Sequence, residues 1–196
     1  MTEDQIKHVQ TRIGTTPDGF WGPKSTARCK QYLRSMMPSP HPFPKQSEVN
    51  SFYGQHGEPD GYAPPTKTIA LPFTIYYEGQ PVNSLRPHEK CADSLLRVFN
   101  RLAYVFPTKE SRQVAGILTY DGLYNPRPMR GGSAWSMHSW AIAIDLNADK
   151  NGNTMHWPTK AVMPIEVMEC FALEGWTSAG AFWSRDAMHA EAVQPD

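Results

Sequence analysis

A chain of 196 residues has room for one domain of about 150 residues and a small appendage, and it can bury a core without staples. Nineteen basic side chains balance nineteen acidic ones, which removes the electrostatic footprint of a nucleic-acid binder or of a protein held on an anionic membrane. Three cysteines (Cys29, Cys91, Cys170) without CxxC spacing argue against both a disulfide framework and a cysteine-ligated zinc site.

The N-terminus, MTEDQIKHVQ, is polar and lacks an apolar signal region, and no stretch approaches the ~20 apolar residues of a membrane span. We therefore expect synthesis in the cytoplasm, no membrane insertion, and release by some other agent if the protein works outside. Ile6, Val9 and Ile13 form the stripe of a short helix over residues 3–14. TPDGFWGP is a tight loop with Asp18-Gly19 as its turn. Pro23 opens a second helix reaching about Met36, with Cys29, Leu33 and Met36 on one face. Residues 37–46 hold four prolines in ten positions, an extended and semi-rigid stretch. These features divide the chain into a helical segment at 1–36, a Pro-rich linker at 37–50 and a main domain at 51–196.

Within the main domain, residues 47–68 read as irregular, and IALPFTIYY at 69–77 reads as a strand that Pro72 places at an edge. Residues 86–104 give a helix whose apolar face carries Ala92, Leu95, Leu96, Val98, Phe99 and Leu102. QVAGILT at 113–119 reads as a strand, and a Gly-, Pro- and Arg-rich loop follows at 121–134. A strand at 141–147, a helix at 163–173 and a last strand near 187–193 complete the chain. The pattern is α+β: a small antiparallel sheet with packed helices, preceded by a short helical module.

The chemistry gathers in two segments. In SMHSWAIAID, residues 136–145, strand alternation sends Ile142, Ile144 and Leu146 to a core. Ala141, Ala143, Asp145 and Asn147 then point the other way, leaving a shallow face with one carboxylate. His138 lies seven residues before Asp145, an odd number, so both can serve one ion only if His138 sits on the turn before the strand. Ser136 and Ser139 suit such a turn. In DAMHAE, residues 186–191, Asp186 and His189 are three apart. His138, Asp145 and His189 together make a three-ligand zinc site with an open fourth position. Zinc lowers the pKa of water and polarises a scissile carbonyl, and Asp186 is placed to shuttle the proton. His8, His41, His56, His88 and His156 read as ordinary histidines, and Glu174 as a surface residue.

SMHSWAIAID resembles the SxHxxGxAxD motif of the zinc peptidases that include D-alanyl-D-alanine carboxypeptidases, dipeptidases and phage L-alanyl-D-glutamate endopeptidases. Ala141 stands where that family usually has Gly. GWTSAGAFWSRDAMH, residues 175–189, is similar to the family's closing motif, roughly GWxxxGxxWxxxDxMH. The resemblance implies His138, Asp145 and His189 as zinc ligands, one ion per chain, and Asp186 as catalytic base. YNPRPMRGG at 124–132 resembles an arginine-bearing loop whose Arg would hold an oxyanion or a substrate carboxylate; Arg127 and Arg130 both qualify. Ser136, Trp176 and Trp183 are candidates for binding substrate. Residues 9–33 resemble a peptidoglycan-binding helical repeat, roughly LQxxLGxxxDGxFGxxT, without its usual third helix.

The reading is a monomeric, endolysin-like zinc peptidase of bacterial peptidoglycan, cutting between L-Ala and D-Glu and reaching the wall after phage-type lysis. A D-alanyl-D-alanine carboxypeptidase is the alternative within the enzyme class. A non-catalytic wall-binding or morphogen-recognition module is the alternative outside it, and the presence of Asp186 speaks against that one.

Overall fold

A capping box at Thr2 and Gln5 starts helix α1 (Glu3–Ile13), and Pro23 in the first turn starts α2 (Pro23–Met36), as the sequence signals require. The computed structural model describes residues 1–129 and 131–195. Between the two helices the buried Gln10 organises the loop. Its amide nitrogen donates to Asp18 Oδ1 at 2.7 Å and to the Phe20 carbonyl at 2.9 Å, while its oxygen accepts from the Gly19 N–H at 2.8 Å.

The Pro-rich stretch leads through a 3₁₀ turn (Gln46–Glu48) into α3 (Val49–Tyr53), so residues 47–68 are more helical than their composition suggests. Strands β1 (Ile69–Tyr77) and β2 (Gln80–Leu85) form an antiparallel hairpin. Its register shifts between Ala70 and Ile75, around Pro72, which has no N–H to give a ladder. Helix α4 (Glu89–Val105) buries Ala92, Leu95, Val98, Phe99 and Leu102 as expected, with Leu96 only half-buried.

Residues 113–119 are not a strand. Thr108 and Ser111 form a capping box for α5 (Lys109–Ala115), and Gly116 at φ 77° closes it. A side chain on Gly116 would meet Asn147 Nδ2 at 2.2 Å, so the helix end and the chain after β4 interlock there. Val114 is 89% exposed, which breaks the buried run that the alternation implied.

The second sheet takes β3 (Tyr120–Gly122), β4 (Ala143–Leu146), β5 (Thr177–Ser178) and β6 (His189–Glu191) in the order β3-β4-β6-β5, with every neighbouring pair antiparallel. Helix α6 (Ala148–Asn151) follows β4; α7 (Ile165–Ala172) and α8 (Ala179–Trp183) bracket β5. Helices α4 and α7 pack together, and Ile142, Ile144 and Leu146 are buried in the core.

The helical N-terminus and the linker are docked onto this core. Val9, Ile13, Cys29 and Leu33 belong to the same apolar cluster as α4, α7 and the sheet. Arg12 forms a two-pronged ion pair with the buried Glu169 of α7, and Tyr32 donates its hydroxyl to the same carboxylate at 2.8 Å. Trp21 meets Trp157 edge-on at 5.2 Å. In the Pro-rich stretch, Phe43 packs against Trp176 at 5.9 Å. Gly175, at φ 83°, lets Pro42 approach, since a Cβ there would lie 2.6 Å from Pro42 Cγ. Glu174, expected on the surface, is buried and paired with Arg97 at 2.6 Å and Arg101 at 2.9 Å, the partners that burial of a carboxylate calls for.

Because α1 and α2 have no core apart from this shared one, unfolding should be a single transition. Leu33→Ala, which empties a fully buried position, is expected to lower the stability of the whole chain by about 2–4 kcal/mol. Denaturant titration followed by both tryptophan fluorescence and circular dichroism checks this; two separate transitions would contradict it.

Candidate active site

Strand β4 brings Asp145 opposite His189 of β6 as a direct antiparallel pair. Cross-strand partners share a face, so both side chains point away from Ile144 and the core. His138 arrives from a 3₁₀ turn (Met137–Trp140) just before β4, as the odd spacing to Asp145 demands. Ala141 holds φ 57° at the end of that turn. A left-handed residue there is what glycine adopts most readily, and it explains why Gly stands at this place in the resembled motif.

The three side chains meet. His138 Nε2 lies 3.2 Å from Asp145 Oδ2 and 3.2 Å from His189 Nδ1, and His189 Nδ1 lies 3.0 Å from Asp145 Oδ1. The remaining ring nitrogens are engaged elsewhere. His138 Nδ1 is 2.8 Å from the Leu123 carbonyl, to which it can only donate. His189 Nε2 is 3.1 Å from Glu191 Oε2. Two nitrogen lone pairs and a carboxylate oxygen are thus turned toward one another inside the protein, an arrangement that requires a proton or a cation between them.

Electrostatics say the same. Burial alone would raise the Asp145 carboxyl, yet hydrogen bonds from His138 and His189, with their charge, hold it well below the usual carboxylate range. Burial alone would lower His189, yet the carboxylates of Asp145 and Glu191 raise it to about 10. In the ion-free chain His189 therefore carries the proton that a metal would replace.

The donor set fits zinc. One atom from each of His138, Asp145 and His189 lies within 4.8 Å of the others, and the closest separations of 3.0–3.2 Å approach the roughly 3.3 Å edge set by zinc–ligand bonds of about 2.0–2.1 Å in a tetrahedron. A hard, oxygen-seeking ion such as Ca²⁺ would call for more carboxylates and carbonyls.

Asp186 stands beside this group at φ 60°, a conformation that Asp tolerates better than most residues. Its Oδ1 is buried without a hydrogen-bond partner. Burial raises its carboxyl above the ordinary value, the Asp145 charge adds to this, and His189 and His138 oppose it. Buried polar atoms are rarely left unpaired, so an orphaned, half-buried carboxylate next to a cation site is a group waiting for a partner.

The other expected residues are placed less uniformly. Trp183 is 47% exposed, with its ring 6.0 Å from that of His189, so it borders the site. Trp176 is 1% exposed and donates its N–H to Ser94 Oγ at 2.9 Å; it is a core residue and cannot touch a ligand in the cleft. Ser136 is buried, and its N–H donates to the Arg127 carbonyl at 3.0 Å. Ser139 Oγ accepts from the Arg127 N–H and donates to the Arg127 carbonyl, each at 3.1 Å. The two serines therefore fix the base of the arginine loop, while the Arg127 guanidinium donates to the Pro128 carbonyl at 3.2 Å. Arg130 lies outside the described residues. His88 is a buried helix cap, accepting from the Lys90 N–H at 3.1 Å, and His8 pairs with Glu166 at 2.7 Å.

From the sequence, Glu191 is at most an alternative base should Asp186 not serve; its contact with His189 Nε2 is not foreseen. Its one available signal was position, two residues after His189 on a strand and so on the same face.

Residues 130–192 match the family model described as D-alanyl-D-alanine carboxypeptidase, and over that span the chain is similar to zinc peptidases. The matched span contains His138, Asp145, Asp186, His189 and Glu191 and leaves the N-terminal helices unmatched. The chain matches no curated protein and no solved structure.

One consequence of His189 is measurable. Its pKa is raised in the ion-free fold, so it is protonated up to about pH 10 and must lose that proton to become a ligand. Uptake of zinc near pH 7.5 should release about one proton per ion, read by calorimetry in buffers of different ionisation enthalpy. The double variant His138→Ala/His189→Ala should neither bind zinc nor release protons. Uptake without proton release would contradict the assignment of His189.

Proposed function

We propose that the chain is a zinc-dependent peptidase of bacterial peptidoglycan, active as a monomer with one zinc per chain, that cuts the L-Ala–D-Glu bond of the stem peptide. The observation that carries this reading is the orphaned Asp186 carboxylate beside a three-donor cation site. Structural metal sites are closed by a fourth protein ligand, whereas a hydrolytic one keeps a position open; the carboxylate three residues from His189 supplies a base.

His138, Asp145 and His189 would hold the ion. When bound, zinc would supply Lewis acidity, polarising the scissile carbonyl and lowering the pKa of water. Asp186 takes the proton of the attacking water and later delivers it to the leaving amine. The Asp186 carboxyl is well suited to this, because burial brings its pKa up toward working pH. Trp183 offers a flat apolar wall beside His189 for a substrate side chain. The loop held by Ser136 and Ser139 carries the arginine that meets the carbonyl oxygen or a substrate carboxylate. The resemblance of residues 9–33 to a peptidoglycan-binding repeat supports a wall substrate, reached after phage-type lysis.

The family match favours a second reading, removal of the terminal D-alanine. Mass spectrometry of digested muropeptides separates the two: release of whole stem peptides marks the endopeptidase, and loss of a single alanine marks the carboxypeptidase.

Asp186→Asn keeps the shape of the side chain and removes the base. It should retain zinc and substrate binding while lowering kcat by about 10²-fold or more. Because the base acts only when ionised, activity of the native protein should fall as pH drops through a value above that of an ordinary carboxylate, and this acid limb should vanish in Asp186→Asn. Loss of zinc in that variant would make Asp186 a ligand instead, and full activity would place the base elsewhere.

The two loop arginines should behave unequally. Loss of the one that stabilises the oxyanion should cost about 10²–10³ in kcat, with only a mild effect from the other. Two mild variants, Arg127→Ala and Arg130→Ala, would show that no arginine serves this role.

A further inference from the structure

We infer that Glu191 is a positioning residue of the metal centre, fixing which ring nitrogen His189 presents to the ion. This inference rests on the metal reading above and goes beyond it, because Glu191 is neither one of the three donors nor the base.

Strand alternation carries the argument. His189 and Glu191 are two apart on β6 and share a face, opposite Asp145 and Ala143 of β4. Ala143 presents only a methyl group to Glu191. On the other side Glu191 faces Thr177 of β5, whose hydroxyl is committed to the Val193 carbonyl at 2.6 Å. The Glu191 side chain is 7% exposed, and its ion-pair partner among the described residues is His189, at 3.1 Å. A buried carboxylate without a positive partner is costly, and among the described residues the one candidate is the imidazole of His189.

That contact assigns the ring. With Nε2–H donated to Glu191, Nδ1 is the nitrogen left facing Asp145 and His138. His138 has the opposite arrangement, with Nδ1–H on the Leu123 carbonyl and Nε2 facing inward. The two histidines are thus backed unequally, one by a neutral carbonyl and one by a carboxylate. An imidazole that shares its lone pair with a cation is a stronger N–H donor than a free one, so the Glu191 bond is kept when the ion replaces the proton on Nδ1.

Glu191→Gln keeps an acceptor of the same shape and removes the charge; Glu191→Ala removes both. Thr177→Val disturbs the neighbouring strand pair without touching His189, and it serves as the structural control. Zinc affinity is measured by competition with a chromophoric chelator, with thermal melting as the check on folding. Glu191→Gln should bind zinc about 10-fold more weakly and Glu191→Ala up to about 100-fold more weakly, with Thr177→Val near the native value. In the zinc-loaded native protein, nitrogen–proton correlation spectra should place the His189 proton on Nε2, and Glu191→Ala should lose that single tautomer. Native-like affinity and tautomer in both Glu191 variants overturn the proposal and leave the metal site standing, as does an equal loss in Thr177→Val. A native chain that takes up no zinc overturns the metal reading and this proposal with it.

Discussion

The antiparallel pairing of Asp145 with His189 is the constraint on which the rest of this site depends. A strand has a side-chain period of two, so a slip of one residue between β4 and β6 would send His189 into the core and leave Asp145 without a partner. The register is held from the core side by Ile142, Ile144 and Leu146, all essentially inaccessible. Once that register is set, Glu191 must lie beneath His189, and His138 must approach from outside the strand. The left-handed Ala141 performs that last step. It turns the chain so that a residue an odd number of places from Asp145 reaches the same point in space.

The site concentrates charge in a way that opposes folding. Glu191 is buried, the Asp145 side chain is 14% exposed, and Asp186 is half-buried with an orphaned oxygen in a backbone conformation uncommon for a residue other than glycine. Such strain and missing pairing persist only where the surroundings over-determine them. Here the surroundings are apolar and closely packed: α7 and α8 on one side, and the His156–Arg185 bridge that fixes the segment leading into Asp186. The buried acids elsewhere, Glu169 and Glu174, each have arginine partners. This contrast separates carboxylates paired with arginine from those gathered around the two histidines.

The N-terminal helices take part in this support. Arg34 of α2 lies over the Phe182 ring of α8 at 5.3 Å, and Trp21 packs on Trp157, whose backbone N–H donates to the Ser184 carbonyl at 3.1 Å. Helix α2 therefore braces α8, which ends at Trp183, three residues before Asp186. The Asp18–Trp21 loop leaves Phe20 74% exposed, while the opposite faces of both helices are spent on the core.

What the sequence determined by itself was local. Helices α1, α2, α4 and α7 follow from apolar stripes and end signals, and β1, β4 and β6 from alternation, because these depend on neighbours a few residues away. The need for a turn at His138, if it is to meet Asp145, was equally legible, since parity of spacing is a property of the strand alone. The strand expected at 113–119 became a helix because a capping box and Gly116 outweighed an apolar run of ambiguous period. Tertiary structure alone decided the rest. Trp176 went to the core and Trp183 to the rim, Glu174 was buried against two arginines, and Glu191 was placed behind His189. Each of these depends on which segments distant in sequence come to lie side by side, and a residue's own neighbourhood in the chain carries no record of that.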